Sequence, residues 1–348
     1  MGSYAVERRL GSGGMGEVYL AYTAGGDPVA VKLIRRGRID PEIRDRFARE
    51  AEIVQSIVGT SRVAGYRAHD AFADQPWIAM EFVSGLTLND YVREHAPLVA
   101  MLTASLGILL AEGLQTVHRA GMLHRDLKPL NVIMSRRGPV VIDFGLGAMT
   151  ASDAASLSTP GWPLGTPRYM PPEQARGESG VTTAADVYGL GAVMVYAATG
   201  HDPYDGNSRQ KILEKVRDAT HSPDLTGLPV ELEQLVSSML AHDPERRPDL
   251  TAVQDHLSGL LQKMGRSAKS ARRALILETF QDTDNENSVP AVPAPAQNSR
   301  LSSEPVEEFE PSIFEPEPEP APGKPQAQHQ IAEQLRDLYA QRTNLLLR

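Results

Sequence analysis

One stretch constrains this chain more than any other: His124-Arg125-Asp126-Leu127-Lys128-Pro129-Leu130-Asn131, followed further on by Asp143-Phe144-Gly145. It supplies a carboxylate at Asp126, an ammonium at Lys128, an amide at Asn131 and a second carboxylate at Asp143. Moving a phosphoryl group needs this set. One carboxylate orients and deprotonates the attacking hydroxyl, a cation sits on the transferring phosphate, and an amide with a second carboxylate holds Mg²⁺. The spacing matters because both short loops must converge on one phosphate.

Composition narrows the field. The 348 residues are 41% apolar, enough for one large domain with tails. The net charge of −9 resides in residues 281–320, which hold ten Asp or Glu and one Arg, so the remainder is neutral. A neutral body argues against nucleic-acid binding, which needs a clustered positive footprint. With no cysteine, disulfides, thiolate zinc sites and cysteine nucleophiles are excluded. The N-terminus has no apolar signal core, and Gly2 lacks the Ser or Thr that myristoylation requires. The longest uncharged stretch, 96–111, is 16 residues, short for a span and better read as a buried helix. The expectation is a cytoplasmic protein without a membrane span.

Near the N-terminus, Gly11-Ser12-Gly13-Gly14-Met15-Gly16 is followed by strand-like Glu17-Val18-Tyr19-Leu20. A dinucleotide fold would place a helix directly after the glycines. A strand there favours a glycine-rich hairpin closing over phosphates, where backbone N–H groups approach oxygen without a Cβ in the way. Val29-Ala30-Val31-Lys32-Leu33 is a β-rich run with one embedded lysine. Residues 41–58 read as a helix with Phe47, Val54 and Val58 on one face; Glu50 projects from that face and Glu52 does not.

The pattern H-R-D-L-x-x-x-N … D-F-G, in this order with the glycine loop, resembles a protein kinase. Lys128 and the run Tyr169-Met170-Pro171-Pro172-Glu173-Gln174-Ala175-Arg176-Gly177 look most like the eukaryotic-like Ser/Thr kinases of bacteria. The resemblance covers roughly residues 4–262 and implies an α+β, two-lobed fold. A small antiparallel β lobe with one main helix would span about 4–82, and a larger, mostly helical lobe about 86–262.

The resemblance also implies roles. Asp126 is the base and Lys128 the γ-phosphate contact; Lys32 meets the α- and β-phosphates and pairs with Glu50. Asn131 and Asp143 are the metal ligands, with Mg-ATP as cofactor and Mn²⁺ as an alternative ion. ATP would be enclosed by Leu10, Gly11, Ser12, Gly13, Gly14, Met15, Gly16 and Val18 from above. Ala30, Lys32, Met80, Glu81 and Val83 would complete the pocket, the last two at a hinge that uses mainly its backbone. In the Ser/Thr-rich segment 146–170, Thr150, Ser152, Ser156, Ser158 and Thr159 are phosphorylation candidates, with Ser158 and Thr159 best placed for reading by Arg125, and Thr166 bonds the catalytic Asp and Lys. Glu173 should pair with Arg247, while Asp186 anchors the backbone of the catalytic loop. The implied substrates are proteins. Two other classes were weighed. A pseudokinase scaffold would lack Lys, Asp or Asn, and a small-molecule kinase on a related fold would lack the Ser/Thr-rich segment and the Glu173–Arg247 pair.

The tail differs. Residues 263–280 are basic with helical potential, and 281–327 form an acidic, Pro-rich linker too poor in apolar residues to offset chain entropy. In 328–348, Ile331, Leu335 and Leu338 fall at helical spacing, so an amphipathic helix is expected to self-associate or dock on a partner.

Overall fold

In the small lobe, three β-rich runs and two more after the first helix build one antiparallel sheet. The computed structural model describes residues 2–12, 16–34, 41–57, 60–143 and 165–281. Gly13, Gly14, Met15, Ser158, Thr159 and everything from 282 onward, including the linker and the terminal helix, lie outside the described residues.

Strands β1 (Ala5–Ser12), β2 (Gly16–Tyr22), β3 (Pro28–Ile34), β4 (Tyr66–Asp70) and β5 (Trp77–Glu81) run in the order β1-β2-β3-β5-β4. Because side chains alternate across a strand, register decides what shares a face. Val18 lies opposite Lys32, Lys32 opposite Ile78 and Ala30 opposite Met80, so these five share one face. The other face carries Ala21, Val29, Val31, Leu33, Trp77 and Ala79, which form a separate buried cluster. Helix α1 (Pro41–Ser56) lays Phe47, Ala51 and Val54 against Ile78.

The larger lobe begins with β6 (Leu86–Thr87), α2 (Leu88–Glu94) and α3 (Ala100–Arg119), followed by the hairpin β7 (Val132–Ser135) and β8 (Gly138–Val141). Strands β6, β7 and β8 form a three-stranded antiparallel sheet. Gly85 has φ 135°, and a β-carbon there would stand 2.4 Å from the Met134 carbonyl oxygen, so only glycine lets the chain enter this sheet. Helices α4 (Pro172–Ala175), α5 (Ala184–Thr199), α6 (Arg209–Arg217), α7 (Val230–Met239), α8 (Leu250–Lys263) and α9 (Ala268–Thr279) complete the lobe.

Helix α5 is apolar on every side and buried from Ala185 to Ala198, which makes it the axle of the lobe. It stops at Gly200, whose φ of 80° supplies the left-handed C-terminal turn. Helix α3 is long and apolar enough, by length and composition, to cross a membrane. Most of it is buried instead, with Leu106, Leu110 and Leu114 inside the core shared with α5 and α8. It fills the place read from sequence as a buried helix.

Candidate active site

The loop 124–131 is suspended from α5. Asp186, 1% exposed in the first turn of that helix, accepts the backbone N–H of His124 at 2.9 Å and of Arg125 at 2.8 Å. Its Oδ2 also meets His118 Nε2 at 2.7 Å. Burial alone would push this carboxyl up; the hydrogen bonds from the His118 side chain and the His124 backbone outweigh it and hold the acid below the usual carboxylate range. Arg125 needs that grip. Its φ is 61°, a left-handed conformation that costs a non-glycine residue about 1–2 kcal/mol.

The strained residue turns the chain directly before Asp126. There the Asp126 carboxylate accepts Lys128 Nζ at 2.5 Å and the backbone N–H of Thr166 at 3.0 Å. Lys128 Nζ also donates to Thr166 Oγ1 at 3.0 Å. Asn131 Nδ2 donates to the Asp126 carbonyl at 2.9 Å, which leaves its amide oxygen as the remaining acceptor. Buried His124 ties this loop to the strand before Asp143: the Asp126 N–H points at its Nδ1, and its Nε2 lies 3.3 Å from the Ile142 carbonyl. An acceptor at Nδ1 and a donor at Nε2 make the neutral Nε2–H tautomer the one both partners satisfy.

Asp143 also has φ 61°. Lys32 Nζ donates to its carboxylate, joining β3 of the small lobe to the larger one. Burial pushes the Asp143 carboxyl up, but the adjacent Lys32 charge prevails and holds it low, hence ionised. The sequence pairs Lys32 with Glu50, which sits half-buried on α1; Lys32 also has a contact with Asp143. Val18, Ala30 and Met80 share the face of Lys32, and each is half-buried. Glu81 and Val83 follow at the end of β5, also half-buried, and Leu10 is exposed on β1.

Two glycines of the loop separate by cause. A β-carbon on Gly16 would sit 1.8 Å from the Leu33 carbonyl oxygen, so strand packing alone demands glycine there. One on Gly11 would meet nothing within 4 Å, so its lack of a side chain is not a packing need.

Farther out, Arg247 is fully buried and meets Glu173 through two parallel hydrogen bonds of 2.7 and 2.8 Å. It also donates to the carbonyls of Ala241, Ala184 and His242, and lies over the Tyr188 ring. Sequence reasoning passed over four residues at the site. His118 supports Asp186, Gln174 Nε2 donates to the Arg125 carbonyl at 2.9 Å, Arg209 donates to the Gly165 carbonyl at 2.9 Å, and Asp202 accepts from Arg168 and Tyr169. A histidine late in an apolar helix was the one available signal.

The protein kinase domain family matches residues 4–257. The chain belongs to that family. AfsK, a serine/threonine-protein kinase of Streptomyces coelicolor, is 39% identical over 260 residues, which are 74% of this chain and 32% of that protein. PknB, a serine/threonine-protein kinase of Mycobacterium tuberculosis, is 35% identical over 253 residues, 70% of this chain and 40% of that one. The chain thus spans about a third of the length of the curated relatives it matches. Among solved structures, the M. tuberculosis PknI kinase domain superposes with a TM-score of 0.58 at 26% identity, over 76% of this chain and 96% of that one. These relatives place the kinase domain among the bacterial-type Ser/Thr kinases, on the two-lobed fold.

Proposed function

We propose that the chain is an active Ser/Thr protein kinase that transfers the γ-phosphate of Mg-ATP to hydroxyls of protein substrates. The observation that carries this reading is that Lys128 and Thr166 meet the Asp126 carboxylate, Lys32 meets Asp143, and the Lys128 charge is near enough to act on Asp143 as well. Asp126 takes the proton of the attacking hydroxyl, and Lys128 brings a positive charge to the oxygen side of the reaction. Lys32 supports the phosphates, with Glu50 as its orienting carboxylate.

The donor set fits a magnesium ion. Asp143 is kept ionised by Lys32, and the Asn131 nitrogen is spent on Asp126, so both offer hard oxygen. Among the described residues no group of three His, Cys, Asp or Glu could hold a metal alone. An Mg²⁺ ion shared with phosphate oxygens needs one or two protein ligands, and Mn²⁺ would use the same donors. The ion's contribution is charge neutralisation on the triphosphate. Use of ATP places the work of the domain in the cytoplasm.

Activation by phosphate on the segment 146–170 belongs to the same reading. Among the described residues, Arg125 Nε is buried without a hydrogen-bond partner, a donor suited to a phosphorylated Ser158 or Thr159. Phosphosite mapping by mass spectrometry after incubation with Mg-ATP, wild type beside Asp126→Asn, tests the proposal. Phosphate on wild type alone supports it; identical maps would refute it.

A further inference from the structure

Helix α9 lies beyond the stretch that the kinase family matches, yet it is built into the larger lobe. Ser267 and Ser270 close a reciprocal capping box at its start, so the helix begins at a fixed point. Ala271, Leu275 and Thr279 are fully buried against the core that includes α3. Ile276 faces the turn between β7 and β8, its side chain 3.8 Å from where a β-carbon on Gly138 would be.

That turn carries Arg137, whose carbonyl oxygen is a meeting point. It accepts Nη1 of the buried Arg62 at 2.6 Å and Nη2 of Arg272, from α9, at 3.1 Å. The Arg137 side chain reaches the other way. Its guanidinium grips Glu81 with two parallel hydrogen bonds, 2.7 Å to Oε1 and 2.9 Å to Oε2. Glu81 Oε2 also accepts the Gly65 N–H at 3.1 Å, and the Glu81 N–H donates to the Gly65 carbonyl at 2.6 Å. Glu81 ends β5, where the chain leaves the small lobe. The bond sequence α9–Arg137–Glu81 therefore links a helix outside the family's boundary to the hinge across both lobes.

Such an arrangement is costly without a purpose. Three guanidiniums, Arg62, Arg137 and Arg272, gather on one turn, with Glu81 and Glu112 among the described residues facing them with opposite charge. A bidentate Arg–carboxylate pair fixes direction as well as distance. Here it fixes Glu81, the first residue of the hinge that the kinase reading gives to the adenine.

We propose that Arg137, held in place by Arg272 of α9, is a positioning residue for nucleotide binding, acting through Glu81 on the hinge backbone. The inference rests on the kinase reading. Loss of the brace lets the hinge sample conformations that do not hold adenine, and apparent affinity falls by the fraction of time spent in them.

The test is titration of the full chain with a fluorescent ATP analogue, with saturating autophosphorylation rate and thermal midpoint read in parallel. Arg137→Ala should weaken binding by about fivefold or more, the range of a coupling between contacting sites. Arg272→Ala, half-buried on α9, should weaken it less and in the same direction, and Arg137→Lys should recover part of the loss. The autophosphorylation rate at saturating ATP should stay within about twofold of wild type, since the brace touches no reacting group. Wild-type affinity in both Arg137→Ala and Arg272→Ala would overturn the inference while leaving the kinase reading intact. A loss in maximal rate at unchanged affinity would overturn it too. Failure of the wild-type chain itself to bind the analogue would overturn the kinase reading and this inference with it.

Discussion

Replacing Asp186 by alanine should cost the protein both stability and rate, by amounts that follow from its three partners. The carboxylate accepts two buried backbone N–H groups, at 2.9 and 2.8 Å, and meets His118 at 2.7 Å. A hydrogen bond to a charged acceptor is worth about 1.5–3 kcal/mol, and orphaned donors carry their desolvation cost as well. Water entering the vacated space offsets part of that, so the expected loss is roughly 3–5 kcal/mol. In a folded unit of this size, that lowers the melting midpoint by on the order of 10 °C. The rate should fall further, because Arg125 then relaxes from its φ of 61° and carries Asp126 with it. A displacement near 1 Å at a reacting group costs about a hundredfold. Thermal melting by circular dichroism and labelled phosphate transfer on the same preparations measure both. The pH dependence gives a sign. Asp186 is acidified by folding, so its contribution is present above the unfolded value of about 4 and lost as pH falls through the lower folded value. The gap between wild type and Asp186→Ala should be constant near neutrality and close in acid. A variant melting within about 1 °C of wild type and keeping its rate would refute the suspension of the loop from α5.

Two further outcomes are expected. Arg247→Met strands the buried Glu173 carboxylate and should destabilise by about 3–5 kcal/mol, whereas adding Glu173→Leu should recover much of that, as a double-mutant cycle by urea titration would show. Thr166→Val removes the oxygen that receives Lys128 while keeping its backbone N–H on Asp126, so transfer should slow about tenfold or more with little change in the urea midpoint.

The contacts of the 124–131 loop were legible in sequence because they are local. Asp126, Lys128 and Asn131 fall within six residues and meet within one turn, and Asp186 and Arg247 sit in runs whose resemblance names their partners. What escaped reading depends on distant pairing. Strand β6 is two residues long and has no pattern of its own. Arg137 finds Glu81 56 positions away, and His118 finds Asp186 68 away, with nothing in either neighbourhood to announce it. The segment 263–280 was set apart for its charge, but the described helix there buries Ala271 and Leu275 against α3 and the β7–β8 hairpin. Its apolar stripe is narrow, three buried positions among flanking arginines, so composition outweighed periodicity. Gly16 reads from sequence as a phosphate glycine, and only the 1.8 Å approach to Leu33 reveals its packing role.

The central claim is that Asp143, on its strained loop beside Lys32, makes phosphoryl transfer possible without being needed for the fold. Transfer of labelled γ-phosphate from Mg-ATP by Asp143→Ala, with circular dichroism and thermal melting on the same sample, tests it most directly. Expected are native spectra, a melt that stays cooperative but begins lower because the buried Lys32 ammonium loses Asp143, and transfer reduced by a factor of about a thousand or more, as for loss of a group that holds charge in the transition state. Wild-type incorporation of phosphate by that variant would contradict it.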